Sequence, residues 1–379
     1  DTVREAEVAK VSLGEDGDPR VRESARIDGG TQNARLSALV DLGLRIDAQN
    51  DLELLSLYIH DADKVAERAW GYSETDAQDF ESTRLQFVAR TLSFTQLRGN
   101  HRFPQARNLE LQWEGDVSLV LRDEPDTRDL KHHVLEDGRR RFVQGPGSAE
   151  RRFTDLQDLA LGGLAELVLP LPQVRLVLGG SAQHSSRELD SRRFRYQFVG
   201  SDPKAFYLPV GEMLSDASIG TDFRIEEKTT HSDSYDASLL LASAWLSAEV
   251  LASDPVRITP GLRMEHARQR LESGSRYSVV DFEEPGVDRT DTSWVPSLNA
   301  AWALRPDMNL RLGYGWTLAR PQFRELAPFA FYDFTRRRSI NGNPDLDVTR
   351  IHAGDLRWEW FPKGTDGVLA ASVFYKHFD

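Results

Sequence analysis

Two-residue alternation between apolar and charged side chains restricts this chain more than any other feature. Between Asp355 and Trp360, Leu356, Trp358 and Trp360 alternate with Asp355, Arg357 and Glu359. Successive side chains of an extended strand point to opposite faces, so one face of this segment is aliphatic and aromatic and the other fully charged. The segment belongs to a stretch, Leu312–Asp379, that also carries an Arg-Pro turn at Arg320-Pro321 and a Gly-Asn-Pro loop at Gly342-Asn343-Pro344. Such a strand suits a wall with hydrocarbon on one side and water on the other.

The same period recurs upstream. Leu36, Ala38, Val40, Leu42, Leu44 and Ile46 oppose Arg35, Ser37, Asp41, Arg45 and Asp47, with Leu39 alone out of phase. Leu109, Leu111, Trp113, Val117, Leu119 and Leu121 oppose Glu110, Gln112, Glu114, Asp116 and Ser118. Trp294, Pro296, Leu298, Ala300, Trp302 and Leu304 form another such row, and Leu310, Leu312, Tyr314, Trp316 and Leu318 a fourth. Residues 52–59 and 237–250 keep the apolar content and lose the phase. The pattern predicts strands over 36–47, 51–66, 82–103, 108–122, 154–170, 173–198, 235–251, 256–274, 290–304, 309–320, 348–361 and 367–379.

The predicted connections alternate in length. Short ones surround Gln49, Pro104, Leu171, Asp254, Pro306 and Lys363; long ones run near 67–81, 123–153, 199–234, 275–289 and 321–347. Outer-membrane barrels place short turns at the periplasmic end and long loops outside, and antiparallel succession makes the two kinds alternate. A soluble sandwich has no such requirement. The expected fold class is therefore all-β, an antiparallel transmembrane β-barrel, with strands of about 12 to 20 residues that exceed the roughly 9 to 11 needed to cross hydrocarbon.

Composition narrows function mainly by exclusion. The sequence has no apolar run of about 18 residues, so a helical span is not available. A mean hydropathy of -0.49 is compatible with barrel strands, half of whose residues face water. Without cysteine there is neither a disulfide framework nor thiolate chemistry. A net charge of -13 argues against general nucleic-acid binding. No nucleophile elbow, Walker loop, dinucleotide fingerprint or H-E-x-x-H occurs, so neither enzymatic function nor a cofactor is expected.

The order of these segments resembles the late barrel strands of TonB-dependent outer-membrane receptors. The resemblance rests on Ala319-Arg320-Pro321, Arg324-Glu325-Leu326, Gly342-Asn343-Pro344-Asp345-Leu346 and Phe374-Tyr375-Lys376, with Arg90–Arg128 and Asp190–Phe198 similar to earlier hairpins. Many family members continue the Gly-Asn-Pro-x-Leu loop with Lys-Pro-Glu, where this chain has Asp347-Val348-Thr349. The resemblance implies a bacterial outer-membrane location and a barrel of about 22 strands filled by a plug domain. Residues 1–379 are then expected to supply about 12 strands, or 13 if Val3–Leu13 is one, as a portion of a single barrel domain without plug. It further implies energised import of a scarce substrate, a ferric siderophore by preference and an oligosaccharide next. Partners are TonB, acting through the plug region, and outer-membrane lipid with lipopolysaccharide. A passive porin or export pore, and a noncatalytic surface binding protein, are the alternatives.

Candidate ligand contacts are Phe329, Phe331, Tyr332, Phe334, Arg336, Arg337 and Arg338, aromatic planes beside guanidinium forks that suit flat or anionic ligands. Loop packing and contact with lipopolysaccharide phosphates are the competing roles for them. Asp355, Arg357, Glu359, Arg263 and Glu265 are expected to face the lumen, and Leu356, Trp358, Trp360, Trp302 and Trp316 the lipid. Arg139, Arg140, Arg141, Arg151 and Arg152 are expected as solvated loop charge. Residues 14–19 are read as a turn, His132-His133 as loop surface and His60–Asp63 as a strand end. The acidic loop containing Asp281, Glu283, Glu284, Asp288 and Asp291 lacks fixed ligand spacing, and no metal site is assigned.

Overall fold

The computed structural model describes residues 2–13, 18–74, 76–145, 147–275, 277–279, 286–328, 331–333, 338–364 and 366–379. The chain runs through β1 (Thr2–Leu13), β2 (Pro19–Arg45), β3 (Asn50–Ser73), β4 (Gln78–Phe103), β5 (Leu109–Val134), β6 (Arg140–Phe142), β7 (Glu150–Pro170) and β8 (Val174–Phe198). A short helix α1 (Val210–Met213) precedes β9 (Phe223–Glu227), β10 (Tyr235–Ser253), β11 (Val256–Ser273), β12 (Val287–Arg305) and β13 (Met308–Ala319). Helix α2 (Phe323–Leu326), β14 (Phe331–Asp333), β15 (Arg338–Ile340), β16 (Thr349–Trp360) and β17 (Leu369–Phe378) complete it. Thirteen strands form one antiparallel path from β1 to β17; β6 and β9 pair onto β5 and β8, and β14 and β15 form a separate hairpin. Among the described residues β1 pairs only with β2 and β17 only with β16, so the sheet is an open arc. This is the partial antiparallel barrel expected from the alternation.

Pairing carries the period across strands. Ile258, Ala300, Leu312, Leu356 and Val373 are successive cross-strand partners, as are Val256, Trp302, Leu310, Trp358 and Ala371. Leu111, Leu167, Leu178, Leu246, Leu262 and Pro296 continue this face toward β5. We call it the Leu356 face. Its apolar side chains are open to solvent in the isolated chain, with Trp294 56%, Leu246 56% and Trp302 49% exposed. A one-residue register slip would turn every one of them to the other side, so the shared phase fixes the pairing.

Along each strand the Leu356 face changes character. Strand β11 presents Ile258, Pro260, Leu262 and Met264, then His266, Arg268, Arg270 and Glu272; β12 presents Trp302 up to Trp294, then Thr292, Thr290 and Asp288. Arg268 forks onto Asp288 at 3.0 and 3.1 Å within the charged zone. The apolar band on β12 spans about nine residues, the length a tilted strand needs to cross hydrocarbon. Tryptophans mark both borders, Trp302, Trp358 and Trp360 near the short turns and Trp294 and Trp316 toward the long loops.

Strands reach further past this band than the alternation predicts. Residues 67–73 pair with 78–84, so most of the expected loop 67–81 belongs to the ladder. Polar residues such as Glu67, Arg68 and Ser82 break the apolar phase there, yet the backbone ladder continues because cross-strand pairing needs no particular side chain. His60–Asp63 accordingly sits within β3, not at its end, and His132-His133 within β5. The other long connections, 135–149, 199–234, 274–286 and 320–348, remain on the end opposite the short turns.

Close packing inside the wall appears at Gly179, the cross-strand partner of Trp245. A Cβ at Gly179 would stand 2.3 Å from indole carbons of Trp245, whose Nε1 donates to Glu166 Oε2 at 3.1 Å. Only glycine leaves room for this ring. Gly179→Val is expected to lower stability by about 1–3 kcal/mol through overpacking. Heat-modifiability on gels should show the loss, and adding Trp245→Ala should restore part of it by removing the obstructing ring.

Candidate functional site

The face opposite Leu356 is polar and carries the candidate site. Near the short turns, Glu359 accepts from Arg311 at 3.0 Å and Arg357 at 2.7 Å, and Asp355 lies on the same face of β16. Higher on the wall, Arg263 donates to Glu265 at 2.8 Å and stacks over Trp245 at 5.2 Å. Arg320, from the Arg-Pro turn, donates to Glu265 at 2.6 Å and to Asp291 at 2.9 Å. The predicted charged residues thus share one face in two groups: Asp355, Arg357 and Glu359 below, Arg263 and Glu265 above.

The Arg-Pro segment does not project away from the wall. It folds down against this polar face, where Gln269 Nε2 donates to the Pro321 carbonyl at 2.9 Å. Phe323, Leu326 and Ala327 bury against Leu189, Tyr235, Ala237, Leu271 and Val287, all on the face of β8, β10, β11 and β12 opposite Leu356. Burying each of the two large side chains contributes about 1.5–3 kcal/mol, and the Arg320 pairs are themselves largely buried, so leaving either partner alone would be costly. Apolar anchoring and the Arg320 pairs together hold the segment in position. Gln322 and Glu325 close a capping box around α2. The Gly-Asn-Pro loop locks onto it: Asn343 N donates to Glu325 O at 2.6 Å, and a Cβ on Gly342 would meet Ala327 O at 2.0 Å.

Beneath α2 lies a cavity of about 390 Å³. Its wall is Arg84 and Gln86 of β4, Arg122, Glu124 and Thr127 of β5, Arg152, Thr154 and Leu156 of β7, Arg187 and Leu189 of β8 and Tyr235 of β10; Gln322 and Arg324 roof it. Arg84 forks onto Asp129 at 2.7 and 2.8 Å, and Arg187 donates to Asp158 at 2.7 Å while stacking over Phe323. Glu124 is engaged by Arg122, by Gln86 at 2.9 Å and by Thr127 at 3.3 Å. Arg152 Nε is buried with no hydrogen-bond partner. A bulge between Glu124 and Thr127 turns both toward the cavity. The cavity is a cationic recess rich in hydroxyl and amide donors.

Other sequence expectations distribute as follows. Phe331 and Tyr332 lie on β14 and Arg338 on β15, while Phe329, Phe334, Arg336 and Arg337 lie outside the described residues. Leu356, Trp358, Trp360, Trp302 and Trp316 share the Leu356 face. The expected loop arginines instead belong partly to strands, Arg140 and Arg141 to β6 and Arg151 and Arg152 to β7, because the ladder runs on above the apolar band; Arg151 forks onto Asp126 at 3.0 and 2.8 Å. Asp288 and Asp291 are held by arginines, Asp281, Glu283 and Glu284 lie outside the described residues, and no metal-holding acidic or histidine group occurs among those described. The cavity arginines on β4, β5 and β8 went unmarked in the sequence. Their signal is positional: each takes the inward phase at the upper border of the apolar band.

The family model for the TonB dependent receptor-like β-barrel matches residues 16–379. The chain belongs to this family. TonB-dependent receptor barrels lie in the bacterial outer membrane, and the family comprises receptors and transporters rather than enzymes. Solved TonB-dependent receptors similar to it include the copper transporter OprC, 14% identical over 93% of this chain and 53% of that one with a TM-score of 0.49. A Serratia marcescens hemophore receptor, HasR, is 12% identical over 93% and 54%, TM-score 0.49, and the alcaligin outer-membrane receptor FauA of Bordetella pertussis 11% over 94% and 52%, TM-score 0.44. This chain spans about half the length of these receptors. Among curated proteins none matches the chain.

Two outcomes are expected. Gly342→Ala should release the 320–348 segment from the wall, because backbone stands where the methyl must go; faster limited proteolysis within 320–348 with the β-sheet signal retained is the check. At the outer end of β8, Arg192 forks onto Glu227 of β9 at 3.0 and 2.9 Å and holds its carboxyl below the ordinary 4.5. A depressed carboxylate stabilises above its unfolded value and loses that contribution as pH falls through the folded one. Hydrogen exchange in 223–230 should therefore be slow above about pH 4.5 and rise below it, and Glu227→Gln should flatten this dependence.

Proposed function

We propose that this chain is the wall of a TonB-energised importer, with the Leu356 face toward lipid and the opposite face lining the lumen. The observation that carries this reading is the apolar band on one face of a thirteen-strand sheet, bordered by tryptophans and capped by charge. An open sheet edge in hydrocarbon strands backbone groups at several kcal/mol each, so the arc functions as part of a closed barrel. TonB acts through a plug enclosed by that barrel, and the wall supplies a rigid polar tube with loops and recesses that select the ligand. A ferric siderophore is the favoured substrate class, since cationic and aromatic groups gather at the outer end; an oligosaccharide is second. Outer-membrane lipid and lipopolysaccharide surround the Leu356 face and its charged upper zone.

Uptake of radiolabelled ferric siderophore by cells carrying the receptor should be lost on deletion of tonB and on collapse of the proton gradient. Uptake that persists in both and scales linearly with concentration would instead establish a passive pore. For the facing, Leu356→Arg should impair assembly, because an arginine near mid-bilayer on a barrel's lipid face costs about 2–4 kcal/mol. Arg357→Met should leave assembly intact. Equal folding defects in the two variants contradict the facing.

A further inference from the structure

We propose that the cavity beneath α2 is a binding site for a small polyvalent oxyanion, a ligand bearing two or more carboxylate or phosphate groups. The charge of the lining points to it. Five arginines converge on the cavity; Arg84 is paired with Asp129 and Arg187 with Asp158, and the one acidic side chain among the lining residues, Glu124, is already held by Arg122, Gln86 and Thr127. The carboxylates whose charge acts on Arg152 are committed elsewhere: Asp129 accepts the fork of Arg84, Glu150 accepts from Arg195 at 2.5 Å, and Asp233 accepts from Arg193 at 2.8 Å. Arg152 Nε is left buried and without an acceptor.

A buried donor with no partner costs about 1–3 kcal/mol, and more when charged. An occupant presenting a carboxylate or phosphoryl edge would remove that cost, because the planar guanidinium fork matches either group with two parallel hydrogen bonds. Tyr235 adds a hydroxyl and Gln322 an amide, which can complete the shell around further oxygens, while the Thr154 hydroxyl pairs with Ser191 at 3.0 Å. A neutral sugar offers no negative charge to offset the guanidinium, and a bare cation is repelled. Size agrees: about 390 Å³ admits a molecule of small tricarboxylate or pyrophosphate dimensions and lies within the ordinary range of ligand pockets. Since Gln322 and Arg324 form the roof, the occupant bridges the wall and the Arg-Pro segment and should steady that segment when bound.

That the occupant is a transported ligand rests on the importer reading. Binding itself does not, and a titration of purified receptor separates the two failures. Receptor extracted from outer membranes into detergent is titrated calorimetrically with tricarballylate and, separately, with inorganic pyrophosphate. Saturable binding of at least one is expected, weakened about tenfold or more by Arg152→Met and less by Arg152→Lys. Arg68→Met, remote on the Leu356 face, should leave it unchanged. The tighter of the two probes identifies carboxylate or phosphate as the preferred group. Should Arg152→Met fail to assemble, hydrogen exchange on the unaltered receptor decides, with slower exchange at 322–328 expected on saturation. No saturable binding of either probe up to about 10 mM, equal affinity in Arg152→Met, or unchanged exchange at 322–328 overturns the proposal.

Discussion

A backbone that crosses hydrocarbon must satisfy its own amides, since no water is there to do so. In this chain the ladder does that work strand by strand, and the thirteen-strand path follows from it. Once the ladder fixes which strands are neighbours, the alternation decides which way each side chain points. The rows joining Ile258 to Val373 and Val256 to Ala371 are the result: apolar residues from five strands brought to one side without a conventional core. The buried clusters lie elsewhere, above the apolar band, where loops and short strands fold against the wall.

The recess lies where the ladder outlasts the band. Above it, strands remain paired but their inward side chains are arginines, hydroxyls and carboxylates, and the Arg-Pro segment returns to cover them. Phe323 and Leu326 anchor the segment by burial, Arg320 pairs with Glu265 and Asp291, and Gly342 allows the Gly-Asn-Pro loop to close against Ala327. The two ends of the motif stretch are thus one structural unit. The cationic recess beneath it exists because α2 bridges across several strands instead of lying flush on one.

Much of this was legible in the sequence wherever the alternation was clean. Leu109–Leu121, Trp294–Leu304 and Asp355–Trp360 lie on strands, and their apolar residues share one face of the sheet, as their phase predicts. Residues 67–81 read as a loop in the sequence because outside the band both faces are wet and the backbone pairs without a side-chain signal. Arg152 looked like loop charge for the same reason. The recess itself was invisible: its arginines lie on four strands and a returning loop, far apart in sequence, and only register brings them together. The aromatic and arginine run at 329–338 drew attention by composition, whereas the recess is built from singly placed residues.

The central claim is that the Leu356 face meets lipid and the opposite face does not. Tryptophan fluorescence in the receptor reconstituted with brominated lipid tests this most directly, using variants that retain a single tryptophan of this chain. Trp302 and Trp358, on the Leu356 face, should be strongly quenched by the bromines, and Trp245, held between Glu166 and Arg263 on the other face, should retain its emission. Quenching of Trp245 as deep as that of Trp302 and Trp358 would contradict the account.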